Sequence, residues 1–113
     1  MMYFGFALAD SMFTGDVTID RMVIDTDEVR ALAADGKLTP CLNPSHQATI
    51  DAMRTRYDIN VTIPETPPRV CLSSGDSVIV MGVRGLPRLT DRHEYTESEI
   101  QAATFSFAKY TVR

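Results

Sequence analysis

The sequence has no tryptophan, only two cysteines and two histidines, and no long uninterrupted apolar segment. Cys41 and Cys71 lie far apart and outside any Cys-x-x-Cys pair, which predicts two buried free thiols in a reducing compartment rather than a metal site. The apolar start, MMYFGFALADSMF, contains Asp10 and has no basic leader, so it is unlike a signal peptide and too short to span a membrane. We therefore expect a cytoplasmic protein that needs no membrane, metal or other cofactor.

Basic residues are also too few for a protein that binds long nucleic acid. The chain has 11 Lys and Arg against 15 Asp and Glu, a net charge of −4. Binding to long nucleic acid depends on counterion release by many basic side chains, so this partner is excluded, whereas a small anion bound in a local basic pocket is not. With 113 residues, 44% of them hydrophobic, residues 1–113 are expected to form one soluble globular domain.

The common nucleotide-binding and hydrolase motifs are absent. There is no P-loop, no GxGxxG, no GxSxG and no HExxH. The side chains that could support chemistry therefore reduce to His46, His93 and an arginine-rich loop.

Apolar periodicity and turn residues predict strands mixed with short helices. Apolar or alternating runs predict strands at residues 2–8, 21–25, 60–63, 69–72, 77–84 and 104–112. Capping residues and helical spacing predict helices at 25–37 and 45–59 and a short capped helix or turn at 96–103. This order indicates an α+β domain, a single mixed sheet of about five or six strands with two or three short helices packed on it.

Two of these strands are predicted to form a β-hairpin. RVCL and SVIVMGVR are β-branched runs separated by SSGD, whose Gly-Asp pair suits a tight turn. The first strand, MYFGFAL, is predicted to be buried on both faces with a close backbone neighbour at Gly5.

His46 is the first candidate for chemistry. Asn43 is a plausible N-cap and Pro44 suits the first helical position, which places His46 in the first turn of the helix. The positive end of the helix dipole disfavours the imidazolium, so it should lower the pKa of His46, and the free N–H groups at a helix start bind phosphate. The alternative is that His46 is only a solvated polar residue at a helix end.

The loop VRGLPRLTDRHEY is the second candidate. It brings Arg84, Arg88 and Arg92 together with Asp91 and His93 in a short Gly- and Pro-containing segment. Arginine binds phosphate through two parallel hydrogen bonds. The alternative is a solvated charged loop with an ion pair that contributes little to stability.

The combination is more specific than its parts. An apolar first strand, SHQAT at a helix start, GDSVIVMGVRGLPRLTD and a terminal strand follow one another along nearly the whole chain. In this order they resemble the small viral and prophage ring nucleases that inhibit type III CRISPR immunity by degrading cyclic tetra-adenylate. The most specific block is the Gly-Asp turn, the apolar strand, Pro-Arg-Leu and the acidic residue Asp91.

The resemblance implies a metal-independent cleavage in which a ribose 2′-hydroxyl attacks the adjacent phosphate and leaves a 2′,3′-cyclic phosphate. His46 would protonate the leaving 5′-oxygen, Arg88 would stabilise the charge on the phosphorane, and Asp91 would hold or polarise a partner group. The implied ligand-binding residues are Ala9, Ser11, Ser45, Thr49 and Arg84.

The end of the first strand departs from the family. Ring nucleases usually have an Asn and a Ser there that contact the ligand, whereas this chain has Phe6 and Ala9, with Ser11 as a partial substitute. The departure puts the identity of the messenger in question, because lost polar contacts weaken or redirect recognition.

The resemblance also implies a homodimer, since a cyclic ligand with rotational symmetry matches a site on a two-fold axis. Two other functions stay open. The chain could be a sponge that holds a cyclic nucleotide without cutting it, or a protein-interaction domain on the same fold.

Overall fold

The computed structural model describes residues 1–66, 68–87 and 95–113. Over these residues the chain forms one five-stranded sheet and three α-helices, which confirms the predicted α+β class. The strands are β1 (Met2–Gly5), β2 (Ile19–Ile24), β3 (Thr39–Pro40), β4 (Ser77–Arg84) and β5 (Thr104–Val112). The helices are α1 (Thr26–Ala34), α2 (Gln47–Tyr57) and α3 (Glu97–Ala102), and single 3-10 turns occupy Asp10–Met12 and Pro44–His46.

The sheet is mixed, with the order β2-β5-β4-β1-β3. The strand β1 is parallel to both β3 and β4, whereas β5 is antiparallel to both β2 and β4. The carboxyl ends of β1, β3 and β4 therefore meet at one edge of the sheet. In sheets with parallel strands, this edge is where ligands usually bind.

Burial explains the central place of β1. Tyr3 and Phe4 point to opposite faces and are only 9% and 0% exposed, as predicted for a strand covered on both sides. A Cβ atom on Gly5 would come within 2.9 Å of Cys41 Sγ. The close neighbour at Gly5 is therefore the Cys41 side chain rather than the predicted backbone, since the nearest backbone atom, Cys41 O, would lie 3.8 Å from that Cβ, and a side chain here would require the Cys41 thiol to move.

One face of the sheet is covered by the helices. Phe4, Ile79 and Phe107 from the strands pack against Ile50 and Met53 of α2. We call this the first core. Its central side chains are completely enclosed, as expected where an apolar helix face packs on a sheet.

The opposite face is covered by segments without regular secondary structure. Tyr3, Val78 and Val112 form a second core with Val70 and Leu72. Three residues in or next to the Asp10–Met12 turn also pack against this core: Leu8, Met12 and Phe13.

The predicted hairpin is wrong. Residues 69–72 are not a strand, and β4 pairs instead with β5. The turn signal itself was real, since Gly75 has a φ of +91°. However, Gly75 N–H donates to Val112 O at 2.8 Å and Leu72 N–H donates to Met12 O at 2.7 Å, so long-range partners replace the local one.

Two smaller predictions also need correction. Residues 60–63 are irregular rather than a strand. Both cysteines are free, but Cys41 is only half-buried and Cys71 is exposed, so they are not two buried thiols.

Candidate functional site

The site is centred on the start of α2. The Asn43 side chain accepts a hydrogen bond from Ser45 N–H at 3.0 Å and lies in contact with the Ser45 hydroxyl. Pro44 opens the 3-10 turn, and α2 then begins at Gln47. The predicted cap is confirmed, but His46 occupies the junction between the turn and the helix rather than the third position of one continuous helix. Thr49 is half-buried in the first turn of α2.

Two neighbours hold the imidazole of His46. The ring of Phe6 meets it edge to face, with the ring centroids 4.4 Å apart and an interplanar angle of 80°. On the other side, the backbone N–H of Asn43 donates a long hydrogen bond of 3.4 Å to His46 Nδ1. Because Nδ1 accepts this bond, a neutral ring carries its proton on Nε2.

Partial burial lowers the pKa of His46 below its ordinary value. The direction matches the sequence prediction, which attributed it to the helix dipole, whereas the cause found in the structure is desolvation of the charged form. The ring is therefore mostly neutral near pH 7, and only its minor protonated fraction can donate a proton as an acid.

Arg84 lies at the same edge of the sheet as His46, but farther out. Gly5 at the end of β1 is opposite Val80 of β4. The strand β4 continues to Arg84, which is about 13 Å beyond that level at about 3.3 Å per residue. Arg84 is exposed and pairs with Thr104 of β5. By the alternation of side chains along β4, Arg84 falls on the face of Val78 and Val80, which is the face of the second core and is opposite to Phe6 and His46.

The structure places Ala9 and Ser11 away from His46. Ala9 is exposed and caps the 3-10 turn, while Ser11 lines a cavity of about 240 Å³ with Cys41 and Val70. That cavity lies beside the second core, on the face of the sheet opposite Phe6. Of the proposed ligand contacts, Ser45 and Thr49 share the helix start with His46, whereas Ser11 does not.

Several proposed residues lie outside the described part of the chain. These are Arg88, Asp91, Arg92 and His93. Within residues 1–66, 68–87 and 95–113, no three His, Cys, Asp or Glu side chains form a group suited to a metal ion. No helix in these ranges has the length and apolar character needed to cross a bilayer.

Phe6 is the neighbour that sequence reasoning missed. It was recognised as a departure at the end of the first strand, but no role was assigned to it. The contact follows from the topology of the folded sheet rather than from any local sequence signal, because the end of a central strand and the start of the helix after a parallel neighbour lie at the same edge of a sheet.

The comparisons with known proteins bear on this fold. The chain shares its fold with a viral protein. The solved structure of B116 of Sulfolobus turreted icosahedral virus is similar over 97% of each chain, with a TM-score of 0.68 and 17% sequence identity. No protein-family model and no curated protein matches the sequence. At this identity the likeness to B116 establishes the architecture alone.

Proposed function

We propose that this chain is a viral protein that binds a cyclic oligoadenylate-type messenger, cleaves it without a metal ion and so counters host antiviral immunity. The motif resemblance suggests the ligand class, and the shared fold with B116 is consistent with a viral origin. The observation that carries the proposal is the imidazole of His46, held at a helix start between Phe6 and the Asn43 N–H.

The proposed reaction is an internal transfer at phosphorus. The ribose 2′-oxygen forms a bond to the adjacent phosphorus and its proton passes to solvent. The bond from phosphorus to the 5′-oxygen breaks, and the 5′-oxygen takes up a proton. The products are a 2′,3′-cyclic phosphate and a free 5′-hydroxyl, and the step balances in atoms and charge. His46 is proposed to serve the leaving oxygen as a general acid, acting in the protonated form of its imidazole, which the lowered pKa makes the minor form at neutral pH.

The surroundings of His46 suit an anion held locally on an acidic protein. The start of α2 offers the positive end of a helix dipole, whereas Arg84 lies beyond it on the opposite face of the sheet. Arg88 and Asp91 keep their proposed roles in charge stabilisation and positioning. We further propose a homodimer in the host cytoplasm, since a two-fold site matches a symmetric ring.

A sponge is the second candidate. A neutral imidazole with its proton on Nε2 can hydrogen-bond to a phosphate oxygen without transferring a proton. Phe6, in place of an amide side chain, removes a polar contact at the end of β1. Both features are compatible with a protein that retains the messenger intact.

The test is incubation of the purified chain, with a chelator, against cyclic di-, tri-, tetra- and hexanucleotides. Products and bound ligands are read by mass spectrometry. We expect linear products ending in cyclic phosphates, from one ring size in preference to the others. Recovery of intact, bound ligand would replace cleavage by sequestration. Neither binding nor cleavage would overturn the proposal and favour a protein-interaction domain.

A further inference from the structure

Phe6 packs against the first core and also contacts the imidazole of His46. Its ring is half-buried at the end of β1 and packs against the first core, so its position is set by the sheet. The imidazole of His46 lies against it at the short end of the usual range for paired aromatic rings. Phe6 therefore links the first core to the imidazole of His46.

The second contact selects one of the two ring nitrogens. Asn43 N–H can donate to His46 Nδ1 only while Nδ1 carries no proton. At 3.4 Å this bond is long, so it is weak by itself. Rotation of the ring would break it, and the edge-to-face contact with Phe6 fixes the plane of the ring.

We propose that Phe6 is a positioning residue, which holds the His46 imidazole in the tautomer protonated on Nε2 and leaves that N–H as the group presented to a ligand phosphate. The ligand part of this statement rests on the proposed function, whereas the tautomer is a property of the free protein.

Two contacts of the imidazole are found in the part of the chain that the structure describes, the Phe6 ring and the Asn43 N–H. Asn43 and Phe6 do not ionise. The nearest titratable groups along the chain are engaged elsewhere: the Cys41 thiol donates to Phe4 O at 3.2 Å, and Asp51 binds Gln47 and Arg54. The tautomer is thus attributed to the Asn43 N–H and the Phe6 ring rather than to a charged neighbour.

The experiment is nitrogen NMR of the imidazoles in the free protein. The chain has only two histidines, so His93→Gln assigns the signals of His46. We expect Nδ1 to be unprotonated and Nε2 protonated in the native chain. Phe6→Leu should give averaged signals from both tautomers, whereas Phe6→Tyr, which keeps a ring, should restore the native pattern.

Phe13→Leu is the matched control, because Phe13 is a half-buried aromatic that packs on the second core, away from His46. It should leave the His46 signals unchanged. If Phe6→Leu does not fold, Phe6→Met serves as the second variant. A native His46 with Nδ1 protonated, or a Phe6→Leu variant with an unchanged tautomer, would overturn the inference.

Turnover separates this inference from the proposed function. If the native chain cleaves a cyclic oligonucleotide, Phe6→Leu should lower kcat on the order of a hundredfold, the effect of a small misplacement of a reacting group, with little change in KM. A locked tautomer in a chain with no turnover would uphold the positioning role of Phe6 and contradict the proposed reaction.

Discussion

The two faces of the sheet are covered in different ways. On one face, α2 packs regular turns against β1, β4 and β5, and side chains such as Ile50 and Met53 are fully enclosed. On the other face, irregular segments around Met12 and Leu72 pack against the sheet. Single hydrogen bonds, such as that from Leu72 N–H to Met12 O, join these segments. A helix supplies its own backbone hydrogen bonds, whereas irregular cover depends on distant partners. The first face should therefore be the more rigid, and it is the face that carries the candidate site.

The largest effect is expected in the first core. Ile50 is 0% exposed in α2, and Ile50→Ala should lower the free energy of unfolding by about 2–5 kcal/mol, because enclosed helix packing cannot collapse around the lost atoms. Urea denaturation measures it. Arg54→Ala, on the exposed side of the same helix, is the control and should change stability by less than about 1 kcal/mol. A small effect at Ile50 would mean that α2 is not firmly packed.

A smaller effect is expected in the second core. Leu72 is 6% exposed, and Leu72→Ala should cost about 2 kcal/mol, the low end of the range for such changes, because an irregular segment can settle into the space. Cys71→Ala, a substitution at an exposed position of the same segment, is the matched control. If Leu72→Ala destabilises the protein as much as Ile50→Ala, the proposed difference between the two faces is wrong.

The smallest effect is expected at the turn before β4. Hydrogen bonds from the Met1 ammonium and from Ser73 N–H lower the pKa of Asp76. Its contribution to stability is therefore present above the unfolded pKa, about 3.9, and is lost as the pH falls through the lower folded value. Asp76→Asn should remove this part of the acid dependence. Unfolding curves measured from pH 6 down to pH 2 would show it, and identical pH profiles for both chains would contradict it.

Local signals predicted the three helices and the strands β1, β2, β4 and β5, but they missed β3 and predicted two strands where the chain is irregular. The segments predicted to start at residues 25 and 96 begin with the caps Asp25 and Thr96, and the predicted cap Asn43 begins the 3-10 turn that leads into α2, because a cap is a contact between residues that are close in sequence. The alternation of Phe105 and Phe107 correctly marked β5. These features depend only on residues that are close in sequence.

The errors came from contacts between distant parts of the chain. Residues 69–72 carry a β-branched pattern next to a good turn, yet Val70 and Leu72 are used as side-chain cover while β5 takes the place beside β4. Register with β5 extends over the whole of β4, which outweighs a short local hairpin. The position of Phe6 against His46 could not be predicted for the same reason, since it depends on how β1 and α2 meet.

The central claim is that His46 performs chemistry on a cyclic oligonucleotide. The direct measurement is single-turnover cleavage of the preferred ring by the native chain, His46→Ala and His46→Gln, with bound ligand measured in parallel. The account predicts that both variants fold and bind, that His46→Gln binds more tightly than His46→Ala because an amide can still donate to phosphate, and that both lose about 10²- to 10⁴-fold in rate. Cleavage by His46→Ala at the native rate would contradict the account.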